Sequence, residues 1–120
     1  MSVVPLAFTR ALCRRPGPEV AHGLTTADLG TPDYERTLAQ HDAYLTTLRG
    51  CGLAVTVLDA LSGHPDAHFV EDTAVITPRV AIVTRPGHPD RQGEEDTIAA
   101  ALADCGRPLA RITAPGTVDG

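Results

Sequence analysis

Residues 69–113, FVEDTAVITPRVAIVTRPGHPDRQGEEDTIAAALADCGRPLARIT, contain the order of elements from which the fold is read. Phe69–Thr77 and Val80–Thr84 are apolar and rich in β-branched residues, and Pro78-Arg79 between them predicts a tight hairpin. Pro86, Gly87 and Pro89 make 85–91 a loop. A helix is expected from Gly93 to about Cys105, with Ile98, Ala101, Leu102 and Cys105 on one face. Gly106 stops it, Pro108 prevents its resumption, and Leu109–Thr113 supplies another strand. The order is strand, strand, helix, strand.

The same unit is visible upstream. Thr31-Pro32-Asp33 opens a helix with a capping residue, a proline at the first helical position and an acid in the first turn. Tyr34, Leu38, His41, Leu45 and Leu48 form its apolar stripe, and Gly50-Cys51-Gly52 closes it. Leu53–Leu58 reads as a buried strand, and Val3–Thr9 as a first strand ending at Arg10. Between them, 14–32 is a long excursion of the kind that often carries a binding loop. The chain is therefore α/β, with about two copies of one supersecondary unit, and such units bury their faces by stacking on neighbours. Asp119-Gly120 follows a strand with nothing to cap the sheet, so an incomplete domain is expected over 1–120.

With 120 residues, 42% hydrophobic, the chain is long enough for one modest core. Aromatic residues are 3%, so that core must be aliphatic. All ten basic residues are Arg, the net charge is −5, and Arg14-Arg15 is the longest basic run. A phosphate-neutralising surface for nucleic acid is not expected. No apolar run approaches the roughly 20 residues of a membrane span, and Met1–Arg10 lacks the basic and long apolar regions of a signal peptide. A cytoplasmic location is the resulting expectation. Cys13, Cys51 and Cys105 fit neither a disulfide framework nor a paired zinc motif.

Chemistry concentrates in 65–73, PDAHFVEDT, where Asp66, Glu71 and Asp72 lie close together. On an extended strand Glu71 and Asp72 would point to opposite faces, leaving at least one partly buried and in need of a cation or donors. An ion pair with an internal Arg explains such an acid; so does a site for a guanidinium ligand, whose two parallel N–H groups match one carboxylate. His64, Asp66 and His68 sit in a proline-containing turn whose spacing is wrong for a metal site. Cys51 and Cys105 fall at helix C-termini, which disfavour a thiolate, whereas Arg14-Arg15 would favour one at Cys13. His41 on the apolar stripe reads as a core or boundary histidine. Arg91, in a loop before a helix, reads as an exposed loop Arg or a clamp for a substrate carboxylate.

Together, FTRAL, GLTT, PDYERTLAQHDAY, CGLAVTVL, PDAHFVEDTAVI, AIVTRPG and APGTVDG occur in an order that resembles the dimethylarginine dimethylaminohydrolases of the pentein, or amidinotransferase, superfamily. The resemblance runs from about residue 6 to the end. It implies a five-bladed α/β propeller of ββαβ units, of which residues 1–120 would supply about two as the N-terminal part of one domain. It implies hydrolysis of Nω-methylated arginine to citrulline and dimethylamine or methylamine, with no metal or organic cofactor. By the same resemblance Asp72 holds the substrate guanidinium, and Asp119 stands beside the catalytic histidine. Asp66 and Glu71 contact the amino-acid end of the substrate and the site wall, and Arg91 engages its carboxylate. Leu24 lies in the loop that closes over the site. The family's catalytic histidine and cysteine have no counterpart in these residues, and none of the three cysteines aligns with the nucleophile. The chain alone is therefore expected to be inactive, with a homodimer or a complementing C-terminal part as its partner. The alternatives are a fragment of an arginine deiminase or amidinotransferase, and a non-catalytic arginine-binding pseudoenzyme.

Overall fold

The computed structural model describes residues 8–22, 30 and 32–119. The first strand, β1, is Arg10–Arg14; a 3-10 turn at Pro18–His22 follows, then helix α1 (Tyr34–Gly50) and strand β2 (Ala54–Leu58). A second 3-10 turn, Val70–Asp72, leads into β3 (Ala74–Ile76) and β4 (Ala81–Val83). A third, Pro89–Arg91, precedes α2 (Glu94–Leu102) and β5 (Leu109–Arg111).

Both halves contain a parallel strand–helix–strand crossover. β1 pairs with β2 from Arg10↔Ala54 to Arg14↔Leu58, and β4 pairs with β5 from Ala81↔Leu109 to Val83↔Arg111. The second half adds β3, antiparallel to β4, giving the order β3-β4-β5. Ala81, Ile98 and Leu102 form the buried centre, with Leu12, Leu58, Val70, Ala74 and Cys105 packed around them. No helix among the described residues is long and apolar enough to cross a membrane.

Four local expectations need correction. The first strand does not end at Arg10: β1 is Arg10–Arg14, and the Thr9 carbonyl accepts the Ala54 N–H at 3.0 Å, while residues 3–7 of the expected Val3–Thr9 strand lie outside the described residues. β1 instead extends through Arg14, which is only 5% exposed, because its guanidinium donates to the Asp59 carbonyl at 2.7 Å and to Thr97 Oγ1 at 2.6 Å. A charged residue thus continues a strand where its donors are satisfied.

The cap of α1 is Asp33, whose Oδ1 accepts the Arg36 N–H at 2.8 Å, so Pro32 precedes the helix instead of opening it. At the other end Gly52 adopts φ +86°, and the Gly52 and Leu53 amides bond back to Arg49 and Leu48. Leu45 is buried on the expected stripe, while Tyr44 is exposed.

The third correction bears on the site. Phe69–Thr77 is not one strand: the chain coils at Val70–Asp72 before β3. Thr73 closes that turn by donating its N–H and hydroxyl to the Val70 carbonyl at 3.0 and 2.6 Å. The hairpin through Pro78-Arg79 forms as expected, with Thr77 N–H to the Val80 carbonyl at 3.0 Å. Finally, α2 ends at Leu102; Ile98 and Leu102 are buried, but Ala101 faces solvent.

Candidate functional site

Parallel crossovers place the C-terminal ends of β4 and β5 on one edge, where the antiparallel β3 begins. Loops at this edge of an open α/β sheet are the usual place for a ligand. The loop after β2 joins them, because Arg91 Nη2 donates to the Asp66 carbonyl at 3.0 Å.

Arg91 is the hub. Its Nη1 lies 2.7 Å from Asp72 Oδ2; Nη2 lies 2.7 Å from Glu94 Oε1; Nε donates to both Glu94 oxygens at 3.1 and 3.2 Å. The side chains are 15% (Arg91), 22% (Asp72) and 2% (Glu94) exposed. Burial alone would lower the guanidinium pKa; the hydrogen bonds it donates to Glu94 and then to Asp72 outweigh it and hold the pKa above its ordinary value. Arg91 is a permanent cation fixed between two acids.

Asp72 has one oxygen tethered and one without a hydrogen bond. Its Oδ2 is held by Arg91, and Oδ1 has no hydrogen-bond partner among the described residues. The 3-10 turn produces this asymmetry: the Thr84 hydroxyl donates to the Asp72 carbonyl at 2.7 Å and pins the turn to the end of β4. Glu71, one residue earlier, is exposed and lines a groove of about 530 Å³ with Cys13, His41, Tyr44 and His68. Glu71 and Asp72 are thus separated by a turn rather than by strand alternation.

A cleft of about 290 Å³ opens beside Arg91, lined by His22, Gly63, Pro65, Asp66, Asp90 and Glu94 as well. Asp66 is 7% exposed. The Glu19 carboxylate accepts the Gly63 N–H at 2.9 and 3.1 Å, which fixes the first 3-10 turn against the wall of this cleft.

Asp119 is exposed and tied to the loop after β4, where the Gly87 N–H donates to Oδ1 at 3.0 Å. Next to it, Val118 N–H donates to the Arg85 carbonyl at 2.9 Å. Residues 84–87 therefore hold Asp72 at one end and Asp119 at the other. Leu24 lies outside the described residues.

The thiols remain unpaired: Cys13 is buried, Cys105 half-buried and Cys51 exposed. Burial pushes the Cys13 thiol up, with Glu71 adding to the rise and Arg49 opposing it. Arg14, whose charge was expected to activate Cys13, spends its donors on Asp59 and Thr97. A raised pKa disfavours a nucleophilic thiolate. Sequence reading missed Glu94 and Thr97, and with them the partners that hold Arg14. The signal for Glu94 was its place three residues after Arg91, but an acid in the first turn of a helix is equally explained by the dipole.

No family model matches the chain. The chain is 40% identical over 114 residues to an N(G),N(G)-dimethylarginine dimethylaminohydrolase of Pseudomonas aeruginosa, covering 93% of this chain and 44% of that protein. It is 38% identical over 112 residues to the protein of the same name from Streptomyces coelicolor, covering 92% and 43%. A solved structure of the Pseudomonas aeruginosa enzyme, a cysteine-to-serine mutant complexed with citrulline, superposes with a TM-score of 0.87 at 40% identity. That superposition covers 93% of this chain and 44% of that one. The chain spans less than half the length of the curated relatives it matches. In sequence, and in its partial α/β propeller of the pentein type, the chain corresponds to the N-terminal portion of the dimethylarginine dimethylaminohydrolase family.

Proposed function

We propose that residues 1–120 form the guanidinium-binding part of a pentein domain that hydrolyses Nω-methylated arginine to citrulline and dimethylamine or methylamine. The observation that carries this reading is the Asp72 carboxylate, 22% exposed, with Oδ2 anchored on Arg91 and Oδ1 without a hydrogen bond among the described residues. A carboxylate fixed in this way meets a flat cation without losing side-chain freedom on binding. Asp66 and Glu71 contact the amino-acid end of the substrate and the wall of the site, and Leu24 belongs to the loop over it. Arg91 has one Nη1 N–H uncommitted among the described residues, enough for a single bond to the substrate carboxylate.

The chemistry requires a thiolate to attack the guanidinium carbon, forming a C–S bond. The C–N bond to the alkylamine then breaks as a histidine gives that nitrogen a proton. Water, deprotonated by the same histidine, displaces the thiolate and leaves citrulline. Asp72 stabilises the cationic intermediate, and Asp119 orients the histidine. Both the histidine and the cysteine come from polypeptide outside residues 1–120, either a C-terminal continuation or a complementing chain, and a homodimer is a further arrangement. The reaction calls for no metal or organic cofactor, and its setting is the cytoplasm.

A second reading, binding of arginine-like ligands without turnover, is favoured by the Asp72–Arg91 pair, which is complete within these residues. Calorimetry with Nω,Nω-dimethyl-L-arginine separates these readings from a purely structural remnant. The chain is expected to bind weakly, Asp72→Asn to lose at least tenfold in affinity, and neither to release citrulline. No heat of binding by the folded wild-type chain would overturn both readings. Citrulline release above that of a cysteine-free control would show that turnover does not need the missing residues.

A further inference from the structure

We infer that Glu94 is a positioning residue: it fixes the Arg91 guanidinium so that Asp72 is held with Oδ1 toward the ligand. The inference rests on the proposed role of Asp72. It adds a residue that makes no contact with the ligand in that reading.

Three observations converge on Glu94. It is the most buried charged side chain among the described residues, 2% exposed, on the first residue of α2. It binds Arg91 through two nitrogens at once, Nε to both oxygens and Nη2 to Oε1, which fixes the plane of the guanidinium as well as its position. With Nε and Nη2 so placed, Nη1 is left pointing at Asp72 Oδ2. The grip is also anchored from behind. The Glu94 carbonyl accepts the Thr97 hydroxyl at 3.1 Å, and Thr97 Oγ1 accepts buried Arg14 Nη2 at 2.6 Å. Polar contacts therefore run from the end of β1, through the first turn of α2, to the carboxylate at Asp72.

A negative charge that merely neutralised Arg91 would not need this geometry. Asp72 already supplies one charge to Arg91, and the His64 ring, with Nδ1 3.9 Å from Glu94 Oε2, stands too far away to replace a bond. What Glu94 adds is orientation.

Solution NMR of the full chain tests this, following the Arg91 Nε–H signal and the Asp72 carboxyl carbon in wild type, Glu94→Gln and Glu94→Asp. The wild type is expected to show a slowly exchanging Nε–H. Both variants, while keeping the amide dispersion of a folded chain, should exchange it at least about tenfold faster and shift the Asp72 carboxyl signal. Glu94→Asp keeps the charge, but its shorter stem cannot hold Nε and Nη2 together. A Glu94→Asp spectrum identical to wild type at Arg91 and Asp72 would reduce Glu94 to a neutralising charge and overturn the inference. Unchanged signals in a folded Glu94→Gln would do the same, and so would loss of folding in both variants. A parallel titration with Nω,Nω-dimethyl-L-arginine keeps the two ideas apart: failure of the wild type to bind removes the proposed function and leaves the Arg91 and Asp72 signals to judge Glu94.

Discussion

Asp119 occupies the space that a side chain at Gly87 would fill. The Gly87 N–H donates to Asp119 Oδ1 at 3.0 Å, and a Cβ at position 87 would stand 2.6 Å from Oδ2. The absence of a side chain at 87 is what allows an acid from the loop after β5 to rest on the loop after β4.

Gly87→Ala is therefore expected to move the carboxylate rather than unfold the chain. The backbone at 87 is outside the left-handed region, and the obstructing atom is the tip of a solvent-exposed side chain. Stability should change by about 0.5 kcal/mol or less, as for a surface substitution, measured by urea denaturation. The Asp119 carboxyl carbon signal should shift in the same variant. A large loss of stability with an unmoved Asp119 signal would show that the two loops are held together by something else.

The helices and β2 were legible because their signals are local: an apolar stripe at helical spacing, with glycines free to take positive φ at the ends, as Gly52 does. The turn at Val70–Asp72 was not, because apolar and β-branched residues there suggest a strand. It is fixed by contacts distant in sequence, the Thr84 hydroxyl on the Asp72 carbonyl above all. The first strand misled for a related reason: it was expected to end at Arg10, yet it runs on through Arg14. A charge predicts a strand end unless its partners are known, and Thr97 is 83 residues away. At the site, the cluster of acids was readable as a place for a cation. That an internal cation from Arg91 already occupies one oxygen of Asp72 followed only from the hairpin and loop that bring them together.

Removing Arg91 should be among the most damaging single changes. Arg91→Ala leaves Glu94, 2% exposed, as a buried acid without its cation. Breaking such a pair from one side typically costs about 3–5 kcal/mol, against a total of about 5–15 kcal/mol for a domain. Arg91→Lys should recover part of that loss, since an ammonium supplies the charge but cannot span Glu94 and Asp72 as a planar fork does. Urea midpoints for wild type and both variants measure this order. Equal midpoints for Ala and Lys would mean that the charge itself contributes nothing.

The Asp33 cap makes a smaller and cleaner prediction. Its Oδ1 satisfies the Arg36 amide at 2.8 Å, and its carbonyl accepts the Thr37 N–H at 2.9 Å. Asp33→Ala removes only the side-chain bond and should cost about 1 kcal/mol. Asp33→Ser should restore most of it. If Thr31 were the effective cap, as the sequence first suggests, Asp33→Ala would leave the denaturation midpoint in place.

His68 and His41 make stability depend on pH in a definite direction. Burial is the largest cause at both rings and lowers both pKa values below the ordinary 6.5; at His41 the neighbouring His68 lowers it further. At His68, Asp66, the Pro65 backbone and Glu71 oppose burial, and Arg91 adds to the lowering. A folded pKa below the unfolded one means that the unfolded chain binds the proton more readily. The stabilisation from these neutral rings is therefore complete above about pH 6.5 and is lost as the pH falls below it, through the lowered folded values. The urea midpoint should decline between pH 7.5 and pH 5, and less steeply in His68→Gln than in wild type. A pH profile unchanged by His68→Gln would show that His68 is not a source of the acid sensitivity.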